Sequence, residues 1–144
     1  MSRLLFPILL VLSGCAQPSL VGQMKARGVT YLNTKKVVIR DCEGGFGGNV
    51  VVSATEQFII QEIWDRIYLS RPYHCWAACG WGEIEFYLSE DANTPAVVLE
   101  VNETDETHLK GKTPDQGFRC PGLQEYIAQL LKDEYENKKQ ERNH

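Results

Sequence analysis

The chain has 144 residues, 43% of them hydrophobic, and a formal net charge of -4 at neutral pH. That length gives room for one domain around one core. Its acidity supplies no electrostatic footprint for a phosphate backbone, so no nucleic acid is expected among its partners.

The N-terminus carries Arg3, an apolar run from Leu4 to Leu12, and then Ser13 and Gly14 before Cys15. A charge, an apolar stretch and small residues in that order are the parts of an export signal. As a helix the nine-residue run would reach about 14 Å, half a bilayer's hydrocarbon core, so it is too short to span one. Pro7 also disfavours a structural helix. Leu12-Ser13-Gly14-Cys15 resembles the lipobox of bacterial lipoproteins. That resemblance, covering residues 1–16, implies removal of residues 1–14 as a signal peptide and acylation of Cys15. The membrane would then be a partner through the N-terminal lipid, and the expected location is the cell envelope. Ala16 after the cysteine resembles the pattern sorted to the outer membrane, facing the periplasm, in a two-membrane host. Loss of residues 1–14 would remove Arg3 and leave fourteen basic residues against 19 acidic ones.

Residues 15–34 contain Pro18, Ser19, Gly22 and Gly28 and few large apolar side chains, which reads as the lipidated cysteine and a tether. Extended, residues 16–34 would reach at most about 65 Å. Val29 to Leu32 is short-strand material. A single domain is expected over 35–131, followed by a charged, solvated tail at 132–144.

Val37-Val38-Ile39 and Val50-Val51-Val52 are β-branched runs flanking a glycine-rich segment, the pattern of two strands joined by a long hairpin loop. Ser53-Ala54-Thr55-Glu56 matches a capping box, and Ile60, Ile63, Trp64 and Ile67 form an apolar stripe at helical spacing behind it. Arg71-Pro72 should end that helix. Ile84, Phe86 and Leu88 alternate with Glu83, Glu85 and Tyr87, and Val97, Leu99 and Val101 alternate again, so a second hairpin is expected. Thr107 to Lys110 reads as a short further strand. Pro121 suits the first turn of a last helix whose stripe is Leu123, Tyr126, Ile127, Leu130 and Leu131. The acidic group Glu100, Glu103, Asp105 and Glu106 reads as a solvated face. The order hairpin, helix, hairpin, helix predicts an α+β domain: a twisted antiparallel sheet of four or five strands with two helices on one face.

Four cysteines remain beyond the anchor, Cys42, Cys75, Cys79 and Cys120. An even count in an exported chain favours disulfides, with three pairings open. The expected pairing joins Cys75 to Cys79, which are local, and Cys42 to Cys120. The long bridge would contribute about 4 kcal/mol and the short one about 2 kcal/mol.

A sharper reading concerns His74-Cys75-Trp76-Ala77-Ala78-Cys79. Two thiolates four residues apart, completed by His108 or His74, can take a soft metal ion. The spacing resembles that of the membrane-anchored copper chaperones serving cytochrome oxidase, which implies a Cu(I) or thiol-redox role. That family's cysteines are followed by proline, whereas Gly80 follows here. The glycine-rich loop lacks the spacing of a phosphate-binding loop and lies between two strands, so Phe46 at its tip is the residue that could meet a partner. Trp76 and Trp81 flank the cysteines as core or as a recognition rim. No catalytic constellation is recognisable and no cofactor is called for. The expected function is a non-catalytic, disulfide-stapled binding domain of the envelope, meeting another envelope protein or a cell-wall component. A copper or thiol-redox accessory protein is the alternative.

Overall fold

The computed structural model describes residues 19–42, 46, 48, 50–74, 81–112 and 116–144. The first element, α1 (Leu20–Ala26), starts at Ser19, whose Oγ accepts a hydrogen bond from the Gly22 amide at 3.0 Å. Its Leu20 and Met24, one turn apart, are both fully buried. The expected tether is therefore structured from Ser19 onward, and Val29 to Leu32 forms turns rather than a strand. Thr34 holds this connection in place: its hydroxyl donates to the Thr30 carbonyl at 2.7 Å and accepts from Trp64 Nε1 at 3.2 Å.

β1 (Lys36–Asp41) and β2 (Val51–Ala54) form the first hairpin, as the β-branched runs require. α2 (Gln57–Tyr68) buries Ile59, Ile60, Ile63, Trp64 and Ile67. No capping box forms, because Ser53 is still in β2 and the N-cap position falls on Glu56, whose side chain makes no capping hydrogen bond. After Leu69 and Ser70 the chain enters β3 (Arg71–Tyr73), a short strand at the sheet edge where Pro72 can be accommodated. β4 (Gly82–Tyr87) and β5 (Val97–Val101) make the second hairpin. β6 (Glu106–Leu109) is the further strand expected at Thr107 to Lys110, and β7 (Gly117–Arg119) follows it. α3 (Leu123–Arg142) runs to within two residues of the C-terminus.

The strands form one antiparallel sheet in the order β2-β1-β4-β5-β6-β7-β3. The α+β class stands, but among the described residues the sheet has seven strands rather than four or five, and there are three helices rather than two. Side chains from all three helices join Val37, Ile39, Ile84, Phe86, Leu99 and Phe118 in one core. One set of alternating residues thus faces the helices, and the other set faces away. Gly82 faces α3 and has no room for a side chain: an added Cβ would lie 3.0 Å from the Arg40 carbonyl oxygen on β1 and 3.8 Å from Ile127 Cδ1 on α3.

α3 buries Leu123, Ile127 and Leu131 and nothing beyond them. The expected frayed tail is nonetheless helical. Its last eleven residues add about 16 Å, supported by Gln129–Asp133 and Glu134–Lys138 contacts one turn apart. Its N-terminus is capped from elsewhere. Gly122, with φ +73°, has no side chain to cap with. Asp105 accepts from the Gly122 and Gln124 amides at 3.1 and 2.8 Å instead. Asp105 itself has φ +62°, and its carbonyl takes the Cys120 amide at 3.0 Å. No helix among the described residues is long and apolar enough to cross a membrane.

Candidate functional site on the open face of the sheet

The residues facing away from the helices carry the polar chemistry of the domain. Register places Arg40, Glu83, Glu100 and His108 side by side on β1, β4, β5 and β6. Val38, Glu85 and Val98 form the next row. Each acid has a partner. Arg40 Nε meets Glu85 Oε1 at 2.8 Å and Nη2 meets Oε2 at 3.3 Å, while Tyr87 Oη donates to Glu85 Oε2 at 2.6 Å. Lys36 lies 4.3 Å over the Tyr87 ring and donates to the Glu90 and Ala92 carbonyls at 2.7 and 3.1 Å. Lys110 Nζ meets Glu83 Oε1 at 2.6 Å, and His108 Nε2 meets Glu100 Oε2 at 2.5 Å.

This pairing has a physical cause. Glu83 and Glu100 stand directly opposite each other, and like charges in that position repel. Lys110 and His108 supply one cationic or donor group to each. Burial pushes the Glu85 carboxyl up, but hydrogen bonds from Arg40 and Tyr87, with the Arg40 charge, outweigh it and hold the carboxyl below its usual range. Burial, and then the bond to Glu85, raise the Tyr87 phenol. Glu85 is thus kept ionised and Tyr87 protonated, an arrangement that fixes side chains in place rather than holding one ready to exchange a proton.

No protein family, no curated protein and no solved structure matches this chain. The open face is consequently read from its own residues.

Cys42 lies one residue beyond β1 and is exposed; Cys120 follows β7 and is buried. Both are free, so the expected bridge between them is not made. They do sit at the same end of the sheet, since Cys42 donates to the Trp81 carbonyl and Cys120 to that of Asp105. Four strand steps separate β1 from β7, however, about 19 Å along the sheet, and a disulfide needs Cα atoms within about 7 Å. Burial pushes the Cys120 thiol up to about 12, with Thr107 pulling the other way. Desolvation raises the Cys42 thiol as well; Glu83, Asp41 and Glu100 add to this and Lys110 opposes it. Neither is a poised thiolate.

Cys15, Cys75, Cys79 and Trp76 lie outside the described residues. His74 is exposed next to edge strand β3, whereas His108 is buried two strands further in, so the two do not converge. Phe46 is half-buried, its ring 5.6 Å from that of Tyr135 on α3, and Trp81 packs at the margin of the core. No group of three His, Cys, Asp or Glu side chains that could hold a metal occurs among the described residues. The acidic group expected on a solvated face is mostly committed: Glu100 to His108, Asp105 to the start of α3, and Glu106 to Asn102 Nδ2 at 2.6 Å. Sequence reasoning singled out the cysteines and aromatics, read Glu83, Glu85 and Tyr87 only as alternating strand positions and Glu100 as part of a solvated face, and gave Arg40 and Lys110 no role in a site. Their signal was the charged half of each alternating strand; their partners followed only from strand order.

Proposed function

We propose that this chain is a lipid-anchored protein of the bacterial cell envelope whose domain binds a partner, protein or cell wall, without catalysing a reaction on it. The observation that carries the reading is the Leu12-Ser13-Gly14-Cys15 motif, whose cysteine stands four residues before Ser19, the N-cap of α1. Support for a binding role comes from the open sheet face. It offers a broad polar platform, with Ser53, Lys110, Arg119 and Tyr73 exposed and Arg40, Glu83 and Glu100 half-exposed. Arg119 stacks 4.1 Å over Tyr73, an Arg–aromatic pair of the type that dominates binding surfaces. A local Cys75–Cys79 bridge belongs to this reading.

Metabolic labelling with an alkynyl fatty acid tests the anchor. Label should appear on the native chain and be lost, together with processing and membrane fractionation, in Cys15→Ala. Native-like migration of an unlabelled Cys15→Ala protein with membranes would refute it.

One observation favours the copper or thiol-redox alternative. Glu100 holds His108 by Nε2, leaving the buried Nδ1 with no hydrogen-bond partner among the described residues. A carboxylate orienting one ring nitrogen while the other stays open is how ligand histidines are held. Two thiols that titrate in the native protein and vanish on adding Cu(I), together with loss of Cu(I) binding in His108→Phe, would favour that alternative over structural bridging.

A further inference from the structure

The charge of this protein is divided along its chain. Between Ser19 and Arg40 stand Lys25, Arg27, Lys35, Lys36 and Arg40 and no acidic residue, whereas all 19 acidic residues lie from Asp41 onward. Arg40 is committed to Glu85, and Lys36 to two backbone carbonyls. Lys25, Arg27 and Lys35 are exposed and have no ion-pair partner among the described residues. Between them the α1–β1 connection closes on itself: Asn33 Nδ2 donates to the Gly28 carbonyl at 2.8 Å, and its Oδ1 accepts from the Thr30 amide at 2.8 Å. On that closed turn sits Leu32, 84% exposed. Gln57 Nε2 donates to Tyr31 Oη at 2.8 Å, tying the connection to the start of α2, where Phe58 is 66% exposed.

We infer that this surface, made by α1 and the turn bearing Leu32, docks on an anionic lipid leaflet and orients the domain with its acidic residues facing away, Glu56 at the start of α2 being the one acid beside it. The inference rests on the lipid-anchor reading. If Cys15 carries acyl chains, the four peptide units to Ser19 reach at most about 14 Å, so the start of α1 stays within that distance of the acylated residue. A domain held that closely must present some surface to the lipid, and the one beside the anchor combines three unpaired cations with an apolar apex. Cations are drawn to anionic headgroups, and a leucine among them can enter the acyl boundary. An acidic face turned to the same leaflet would be repelled.

The test uses the lipidated full-length protein reconstituted into vesicles containing phosphatidylglycerol and lipids with brominated acyl chains. Fatty-acid labelling of Cys15 is measured on the same preparation. Leu32→Trp adds a tryptophan at the apex, and Gln140→Trp adds one on the exposed end of α3. Bromine should quench the first and not the second, relative to the parent protein. Each basic residue near an anionic surface contributes about a fivefold factor, so adding Lys25→Gln and Arg27→Gln should lower the docked-to-undocked ratio about 25-fold and remove the quenching. A labelled protein whose Leu32→Trp fluorescence is no more quenched than that of Gln140→Trp overturns the docking inference and leaves the anchor standing. Quenching that survives charge neutralisation also overturns it. An unlabelled Cys15 overturns the anchor and the inference together.

Discussion

On the helix side of the sheet Trp64, Phe86, Ile39 and Ile84 are fully buried and meet other apolar groups, whereas on the opposite side Glu85, Tyr87 and His108 are nearly as buried and meet charges and hydroxyls. One side is stabilised by area removed from water, which does not titrate with pH and is not weakened by ionic screening. The other depends on each polar atom having its counterpart, so its contribution varies with protonation and ionic strength. A surface held together in this second way can be rigid and still polar enough to meet a partner.

The comparison predicts its largest effect on the helix side. Trp64 lies under α2, with ring centroids 5.7 Å from both Phe86 and Tyr68, and its indole donates to Thr34. Trp64→Ala should lower unfolding free energy by about 3–5 kcal/mol in urea titrations, and the loss should not shrink as salt is added. A loss under 1 kcal/mol would mean that the core is not organised around this residue.

The next effect separates breaking a pair from replacing it. Arg40→Ala leaves a carboxylate whose side chain is 12% exposed with only the Tyr87 hydroxyl, and should cost about 1–3 kcal/mol. Arg40→Leu combined with Glu85→Leu removes both charges and should fall within about 1 kcal/mol of the parent. The same pair sets an acid dependence. Glu85 is held below its ordinary value of 4.5, so the ionised, folded form gains stability that is complete above that value. As pH falls through the lowered value the carboxyl protonates and the gain is lost. Stability of the parent should therefore drop below about pH 4.5 more steeply than that of the double variant.

Much of the helix side could be read from sequence, because its elements carry local periodicity. The α2 stripe and the alternation in β4 and β5 each specify one face without reference to any other element. β3 and β7 were not legible: each has three residues, too few for a period, and each owes its strand geometry to its neighbours, β3 to β7 and β7 to β6 and β3. α1 was missed because only two of its seven residues are buried, although Ser19 before Leu20 and Met24 is the signal that marks it. The open face was half legible. Glu83, Glu85, Arg40 and Lys110 are recognisable as outward positions, but their pairing needs β1 beside β4, an adjacency that no local pattern encodes. The same gap misled the cysteine pairing, which had the right end of the sheet and the wrong lateral distance.

A smaller effect lies where the two faces meet, at the start of α3. Asp105→Ala removes the acceptor for two amides and places alanine at φ +62°, and should cost about 1–2 kcal/mol. Asp105→Asn keeps an acceptor in a residue that tolerates positive φ, so it should lose about half as much. Equal losses for the two variants would show that charge, and not backbone geometry, makes aspartate the residue here.

The smallest effect should come from Lys110, and it discriminates best between buried and exposed pairing. Its side chain is 53% exposed, while that of its partner Glu83 is 16% exposed. Exposed pairs contribute about 0.2–1 kcal/mol, but here the lysine also relieves the opposition of Glu83 and Glu100. Lys110→Ala should therefore cost about 0.5 kcal/mol in dilute buffer, and the cost should shrink in concentrated salt as screening shortens below the pair's surroundings. The Arg40→Ala loss should fade less under the same conditions, because Arg40 holds Glu85 by two charge-assisted hydrogen bonds, where Lys110 makes one to Glu83. If both losses faded together, the Arg40–Glu85 pair would be held by screened charge alone, as an exposed pair is. The open face would then be a solvated charge lattice rather than a fixed platform, and the case for partner binding through it would go with that rigidity.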